Sequence, residues 1–561
     1  MTTIWEVSEI PDQMEIAELP YSPLIQKLLF LRGLKDPAAI QKFLFPSIAD
    51  LHDPFLLKGM QKVMRRILAA VDKGEKIMIH GDYDADGITG TAIMSQVLKK
   101  LRAQFTAFLP NRLQDGYGVS LDAIHEAKKQ GVTLFITVDC GVTAHEQIKA
   151  ANESGMDVIV IDHHQIHGEE LPTAYEIINP NRADCEYPYK ELSAAGLVFK
   201  LAQALLGKGG LEYLDLAALS TVCDVAPLSG ENRVIVACGL ELLGKRKQLG
   251  LRKLSEAANL KRPKFLASDL GYVLGPRINA SGRMGAADTA LKLLVTDDSA
   301  EAEKLAGILD SENKARQQEE RLLLRQALQK VEQEINFNRD RVIVLGAEGW
   351  HEGVIGIIAQ RLVEKFSRPA LVISFDGDSG KGSARSIKGF HLMEGLEYCS
   401  DCIEQYGGHE LAGGFTIKKE KYQALRKKMN EFAHTKSPEI FLKSIRVDCE
   451  IELEDLSSQF IHELSLFEPF GAGNPKPVFL TRGVKTKRPP ELDRRWGNVE
   501  TETYRWWVTD GKLTYEAVWR SRSQEFIFPA TEQYTLIYSP KVATFNGETR
   551  LVLEVRDLKS E

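Results

Sequence analysis

Residues 76–87 read Lys76-Ile77-Met78-Ile79-His80-Gly81-Asp82-Tyr83-Asp84-Ala85-Asp86-Gly87, and this stretch decides the fold. A short apolar run is stopped by a turn rich in Asp and Gly, and an amphipathic helix is predicted to follow over 90–101. The same grammar repeats downstream. Strands are predicted over 105–109, 133–138, 157–161 and 175–179, with helices over 121–129 and 144–152 between them and a helix over 62–71 in front. Helices alternating with short buried strands require right-handed crossovers, which predicts a parallel, doubly wound α/β sheet.

Working outward, residues 191–335 are mostly helical. They end in a segment from Ala300 to Ile335 whose apolar positions Leu305, Leu309, Leu323, Ala327, Leu328 and Val331 sit among many charges. This pattern predicts a long connecting helix with one packed face. A second α/β unit begins with a strand over 341–346, a helix over 353–364 and a strand over 370–374. From about Ser444 the text becomes short β-like runs separated by turn signals, which predicts a small C-terminal β-barrel. Trp496, Trp506, Trp507 and Trp519 lie there beside basic residues, a composition suited to an oligonucleotide-binding (OB) barrel that stacks bases and contacts the backbone. At least one of these tryptophans is expected in the core. The first 60 residues hold amphipathic pieces over 22–31 and 37–44 and no strand signal, so they read as a helical lead-in. The expected divisions are therefore 1–60, 61–230, 231–335, 336–440 and 441–561.

Composition narrows the function classes. With 43% hydrophobic and 27% charged residues among 561, the chain is that of a multi-domain globular protein, and it contains no apolar run of the roughly 18 residues a membrane span needs. The opening MTTIWEVSEIPDQ lacks a basic stretch followed by an apolar core, so a cytoplasmic protein is expected. The 7 cysteines are scattered and odd in number, as reduced thiols are. Cys399 and Cys402 form a CxxC without the second pair that a tetrahedral zinc site needs. A net charge of -7 opposes polyanions as a whole, yet Lys and Arg concentrate over 245–264 and 482–495, where nucleic acid could be held locally.

The chemistry gathers at strand ends. The strand at 76–80 runs into Asp82, Asp84 and Asp86, the one at 133–138 into Asp139-Cys140-Gly141, and the one at 157–161 into Asp162-His163-His164. Ligands of open parallel sheets bind outside the carboxyl ends of the strands, so these clusters should converge, with Asp224 after an apolar helix as a fourth member. Asp-Gly pairs also form ordinary turns, but three such clusters at equivalent strand ends point to a metal site. Crowded carboxylates repel unless cations hold them, and oxygen donors mixed with imidazole suit Mn²⁺ or Mg²⁺. Two divalent ions are the simplest answer. The spacing of Asp82, Asp84, Asp86 and Gly87 also imitates an EF-hand loop, but the twelfth position is Ile93 rather than Glu, and a strand rather than a helix precedes the loop.

These motifs, together with Gly407-Gly408-His409-Glu410-Leu411-Ala412-Gly413-Gly414, resemble those of the DHH phosphoesterase superfamily and its associated DHHA1 domain. Arg32-Gly33, Phe43-Leu44-Phe45-Pro46, Leu51-His52-Asp53-Pro54, Asn111-Arg112, Gly116-Tyr117-Gly118 and Gly275-Pro276-Arg277-Ile278-Asn279-Ala280-Ser281-Gly282-Arg283 are similar to segments of its bacterial single-strand-specific DNA exonucleases. The resemblance implies an α/β fold with a DHH parallel doubly wound domain, a long connecting helix, a DHHA1-type second α/β domain and an OB-type barrel. It implies that His80, Asp84 and Asp139 hold one ion while Asp86, Asp139, His163 and Asp224 hold the other. Asp139 then bridges, Asp82 lies in or just behind the ligand shell, and His164 faces the scissile phosphate. Paired ions can activate a shared water for attack on a phosphodiester, and His164 can donate a hydrogen bond or proton.

Small residues around Ser383 and Arg385 read as a loop able to grip a terminal phosphate with Gly407, Gly408 and His409, and Arg112, Arg277 and Arg283 are further phosphate candidates. The implied activity is 5′-to-3′ removal of mononucleotides from single-stranded DNA in recombination and repair. A monomer is expected, with a helicase or single-strand-binding protein as protein partner. The rivals are a small-substrate DHH phosphoesterase, such as an oligoribonuclease or cyclic-dinucleotide phosphodiesterase, and a non-catalytic replication scaffold. The hundred-odd residues after Gly414 argue against the first, and the intact acidic pattern is unnecessary for the second.

Overall fold

The computed structural model describes all residues except 1–2, 10–19, 111–117, 167–169, 284–286, 494–501, 522–527, 529–532, 546–547 and 561. The chain divides into two compact units, one of residues 1–4, 53–224 and 239–443, the other of 5–52, 225–238 and 444–561.

The first unit opens with a parallel five-stranded sheet of β1 (Lys76–His80), β2 (Gln104–Phe108), β3 (Leu134–Val138), β4 (Asp157–Ile161) and β5 (Glu176–Ile178). Its order is β2-β1-β3-β4-β5, so the chain steps outward from β1 to β2 and then returns to the other side of β1. That reversal is a switch point between β1 and β3, where the connecting loops part and leave a crevice. All of β3 is buried, and β4 is buried but for its first residue, as expected for strands covered on both faces. The helix Ala85–Lys100 starts in the crevice because the Asp84 side chain caps it, accepting the N–H groups of Asp86 and Gly87 at 2.9 and 3.1 Å.

The helix Ser299–Glu334 is 36 residues long, about 54 Å at the usual rise. It buries Ala302, Ala306, Leu309, Asn313, Arg316, Leu323, Ala327 and Val331, which recur at helical spacing along one face. Its first half meets the helices Leu249–Ala257, Gly275–Arg283 and Ala287–Val295, and its second half meets the next α/β layer. In that layer β6 (Ile343–Glu348) and β7 (Ala370–Asp376) are parallel, and β8 (Ser379–Arg385), β9 (Gln405–Gly408) and β10 (Ala412–Lys418) add antiparallel in the order β9-β10-β8-β7-β6.

The second unit contains β11 (Phe479–Thr486), β12 (Glu502–Thr509), β13 (Thr514–Ser521), β14 (Tyr534–Phe545) and β15 (Glu548–Ser560). Their pairings run β11-β14-β15-β13-β12 and return from β12 to β11, closing a ring. The apolar faces of the helices Pro23–Leu31 and Pro37–Leu44 bury Ile25, Leu28, Leu29, Ile40 and Leu44 in the same core as Phe479, Trp506, Tyr534 and Tyr538. The lead-in therefore belongs, over residues 5–52, to the strand-rich unit. It also contains a strand, Ile4–Val7, which pairs with Ser444–Val447 and corrects the purely helical expectation. Four residues are too few for a period-two signal to stand out, and pairing with a segment some 440 positions away leaves no local trace. Trp506 is core, Trp519 is half-buried, Trp507 is exposed, and Trp496 lies outside the described residues. No helix among the described residues is long and apolar enough to cross a membrane.

Candidate metal centre

Each acidic cluster is delivered by the end of a strand. His80 closes β1 with its ring buried between Phe108 and Phe135, at centroid distances of 5.4 and 5.9 Å, and with Nδ1 3.7 Å from Cys140 Sγ. The following turn is tight enough to require glycine: a Cβ on Gly87 would lie 2.5 Å from the Asp82 backbone nitrogen. Asp139, just past β3, adopts the left-handed φ of 65°, a conformation Asp tolerates better than most residues. This turns its carboxylate into the crevice.

Three groups of donors lie within 4.8 Å of one another: Asp82, Asp84 and Asp139; Asp86, His163 and Asp224; and Asp139, His163 and His164. His163 Nε2 is 3.3 Å from Asp139 Oδ1 and 3.7 Å from Asp86 Oδ2, and its Nδ1 is 3.8 Å from Asp224 Oδ2. The sequence-predicted ligands thus converge, with Asp139 common to two groups; His80 stands at the end of β1 outside these three groups. Asp82, Asp86 and Asp139 are all buried, and Asp139 Oδ1 lacks a hydrogen bond of good geometry among the described residues. Burial and the charges of Asp86, Asp84 and Asp82 push the Asp139 carboxyl well above the usual carboxylate range. Burial and the charge of Asp86 raise Asp224 to about 8. A crowd of oxygen donors whose ionised form is disfavoured by its own neighbours is what a bound cation corrects.

Several supporting contacts were not visible in the sequence. Asp86 receives the N–H groups of Ala194 and Ala195 at 2.8 and 2.7 Å and the Ser220 hydroxyl at 2.6 Å, so the start of the helix Ala194–Leu206 fixes this carboxylate. Asp162 is buried and receives the His164 N–H at 3.1 Å and the Val142 N–H at 2.9 Å, while its Oδ1 lies 2.7 Å from His164 Nδ1. Burial opposes a charge on His164, but the Asp162 hydrogen bond and charge outweigh it and lift the imidazole to about 9. The side-chain amides of Asn179 and Asn181 donate to the carbonyls of His164 and His163 at 3.0 and 2.7 Å. Their place just after β5, at the same sheet end, was the available signal.

The Gly275–Arg283 segment is a helix that braces the 82–86 turn. Asn279 Oδ1 accepts the Ala85 N–H at 2.8 Å, and a Cβ on Gly282 would lie 2.1 Å from the Tyr83 carbonyl oxygen. Arg277 is engaged with Asp310 at 2.8 Å and the Val273 carbonyl at 2.7 Å, so a phosphate would have to displace a carboxylate to use it. Arg283 ends that helix with its side chain outside the described set, and Arg112 lies outside the described residues.

Ser383 and Arg385 correct the sequence expectation of a loop: they belong to β8, between β7 and β10. Backbone N–H groups committed to ladders on both sides cannot cradle an anion, so only side chains are available there. A Cβ on Gly356 of the helix Glu352–Phe366 would lie 2.9 Å from Ser383 Oγ and 3.3 Å from Arg385 Nη2, which leaves this patch open only because residue 356 is glycine. Gly407 pairs with Gly414, which pairs with Ser383; Gly407, Gly408 and His409 are exposed.

Family models match in the same order as these layers: the DHH family N-terminal domain over 76–221, the DHHA1 domain over 339–435 and the RecJ OB domain over 447–557. The single-stranded-DNA-specific exonuclease RecJ of Escherichia coli is 33% identical over 84% of this chain and 85% of its own length. The chain belongs to the RecJ family. Family members from Bacillus subtilis and Thermus thermophilus are 42% and 37% identical over 86% and 80% of this chain. The chain spans only 62% and 65% of the lengths of those two relatives. The crystal structure of Thermus thermophilus RecJ with Mn²⁺ superposes with a TM-score of 0.83 at 31% identity, covering 100% of this chain and 80% of that one. The structure with Mg²⁺ gives 0.78 at 30% identity, covering 100% of this chain and 79% of that one.

Proposed function

We propose that this chain is a metal-dependent exonuclease that degrades single-stranded DNA from its 5′ end, releases 5′-mononucleotides and acts in recombination and repair. The observation that carries the reading is the convergence of Asp82, Asp84, Asp86, Asp139, His163 and Asp224 at the switch point of a parallel sheet. The Bacillus, Thermus and Escherichia relatives are single-stranded-DNA-specific exonucleases by name, which supports the substrate.

The donor set fits two Mn²⁺ or Mg²⁺ ions: crowded buried carboxylates, an Asp139 oxygen lacking a partner of good geometry among the described residues, and the imidazoles of His80 and His163. His80, Asp84 and Asp139 would hold one ion, and Asp86, Asp139, His163 and Asp224 the other, with Asp82 at the margin. Bound there, the ions would supply a water of lowered pKa and positive charge opposite the phosphoryl oxygens. The Thermus structures contain these two metals, in support of the choice.

The chain's own residues do the rest. Asp162 holds His164 through Nδ1 at 2.7 Å and keeps the ring protonated at neutral pH, so Nε2 is the atom that addresses the phosphoryl group or the departing oxygen. Ser383, Arg385 and the exposed Gly407, Gly408 and His409 receive the terminal phosphate and set the polarity, with Arg112, Arg277 and Arg283 as further backbone contacts. The strand-rich unit binds the single strand. Labour is divided along the chain as a lead-in over 1–60, a catalytic domain over 61–230, a helical region over 231–335, a phosphate-gripping domain over 336–440 and a strand-binding domain over 441–561. The enzyme acts as a monomer in the cytoplasm beside a helicase or single-strand-binding protein, and the seven free cysteines suit that reducing compartment.

The test is digestion of 5′-labelled and 3′-labelled single strands with Mn²⁺ or EDTA. Labelled mononucleotide should appear at once from the 5′ label, late from the 3′ label, and not at all in EDTA. Early release from the 3′ label, or turnover restricted to dinucleotides, would overturn the reading.

A further inference from the structure

The segment Asn179-Pro180-Asn181-Arg182 leaves β5 at the sheet end where the acids converge, and all of it lies in the first unit. Pro180 fixes its own φ and disfavours the helical region for Asn179. The Asn179 side chain closes a turn on its own segment, its Oδ1 accepting the Asn181 N–H at 2.7 Å. Only the amide oxygen can receive an N–H, so Nδ2 is the atom that donates to the His164 carbonyl at 3.0 Å. Asn181 Nδ2 donates in the same way to the His163 carbonyl at 2.7 Å.

This bracket is itself anchored. Arg182 donates to the Ile177 carbonyl at 2.7 Å, to Glu176 Oε1 at 2.9 Å and to the two Asp184 oxygens at 2.9 Å each. Lys190 Nζ holds the carbonyls of Pro180 and Cys185 at 2.8 and 2.6 Å. Asn179 is 1% exposed, so water cannot readily replace it on its partners. Donors on two successive carbonyls fix two successive peptide planes. The plane between His163 and His164 sets the ψ of the first and the φ of the second, and the next plane sets the ψ of His164. Backbone angles restrict the side-chain rotamers, so the two amides govern where both imidazoles point. His163 Nε2 is kept 3.3 Å from Asp139 and 3.7 Å from Asp86 by this arrangement.

We infer that Asn179 and Asn181 are positioning residues for the metal centre. Asn181 aims His163 at its ion, and Asn179, by closing the turn and holding the His164 carbonyl, keeps the two imidazoles in their relative places. The inference rests on the reading of His163 as a metal ligand and of His164 as the group that addresses the phosphate.

The experiment titrates Mn²⁺ into the full chain, follows free Mn²⁺ by electron paramagnetic resonance, and records kcat, KM and melting temperature for every variant. Asn181→Ala should weaken one of the two Mn²⁺ sites by about tenfold, the size typical of lost ligand support, and spare the other. It should also lower kcat at saturating Mn²⁺ while KM for the single strand stays unchanged. Asn179→Ala, which loses the turn bond as well as the carbonyl bond, should do at least as much. Asn181→Ser, which keeps a donor on a shorter arm, should recover part of the loss.

Arg66 bonds Asp157 at the opposite end of β4 at 2.6 Å and Glu75 at 2.7 Å, which makes Arg66→Met the control for lost stability. It should lower the melting temperature and leave kcat and both Mn²⁺ affinities at parental values. If it changes them as Asn181→Ala does, general loosening is the cause and the inference falls. A folded Asn181→Ala with kcat and both affinities unchanged would overturn the inference, even with a lowered melting temperature. If that variant does not fold, Asn181→Ser decides by the same criterion. His163→Ala separates this from the underlying reading: if it keeps both sites at parental affinity, His163 is no ligand and both ideas fall. If it loses one site while the Asn181 variants keep both, only the positioning role falls.

Discussion

Two buried charge clusters in this chain are built on opposite terms. In the first unit, Asp82, Asp86 and Asp139 are buried together, one oxygen of Asp139 lacks a hydrogen bond of good geometry among the described residues, and burial with neighbouring charge pushes the Asp139 carboxyl far up. In the second unit, Arg233 is equally buried, yet five carbonyls receive it, and burial lowers its pKa only to about 10, so it stays charged at neutral pH. A buried charge whose hydrogen bonds are complete belongs to the fold, whereas a buried cluster whose demands are unmet within the chain marks a place for a ligand.

That contrast breaks most sharply at Asp139. Asp139→Ala should reduce hydrolysis at saturating Mn²⁺ by roughly 10⁴-fold, about 5 kcal/mol of barrier. In EDTA the same change should leave the melting temperature equal or higher, because it removes a carboxyl whose ionised form the apo fold disfavours. A melting temperature that falls by many degrees would make Asp139 a structural residue. Arg233→Met should do the reverse, costing about 3 to 5 kcal/mol in urea unfolding by leaving several carbonyls unpaired.

Arg385 lies between these extremes, half-buried in β8 with its Nη1 on the Ala384 carbonyl at 2.8 Å. Arg385→Ala should slow cleavage of 5′-phosphorylated strands by about 10- to 100-fold, as expected for one charge-assisted contact of about 1.5 to 3 kcal/mol, and slow 5′-hydroxyl strands much less. Equal slowing of both substrates would make it a general backbone contact.

The smallest effect is on pH. Asp139 and Asp224 titrate above the ordinary carboxylate value near 4 in the fold, and His164 is raised to about 9. The folded apo protein therefore holds protons that the unfolded chain has released. For Asp224 this applies from about pH 4 up to about 8, and for His164 from about 6.5 to 9. Stability in EDTA should fall as pH rises through both windows, and the gain in melting temperature on adding Mn²⁺ should be larger at pH 8 than at pH 6. A gain independent of pH would show that the ions are not held by these carboxylates.

Much of the first unit was legible because its signals are local. The runs at 76–80, 133–138 and 157–161 are apolar and short, each ends in Asp or His, and alternation with helices forces a parallel sheet whose carboxyl ends share one side. The one-sided apolar spacing of residues 300–335 likewise announced the long helix. Ser383 and Arg385 misled because Gly, Ser and Ala between charged residues read as a loop, while the sheet neighbours of Ser383, Val372 and Gly414, and those of Arg385, Ala370 and Ala412, come from other segments of the chain.

The sequence by itself determined which residue types stand at the strand ends, and therefore that a divalent-cation centre is the chemistry on offer. Only the tertiary structure decided how each of those residues is used. Asp86 leans on the helix start at Ala194 and Ala195, more than a hundred residues away, and Asp162 serves His164 through Nδ1. Arg233 looks like one more surface arginine until the fold brings carbonyls from Phe43 and from 466–469 around it. The reason is physical: backbone carbonyls carry no side-chain signature, so a charge whose partners are distant backbone atoms leaves no pattern in the sequence.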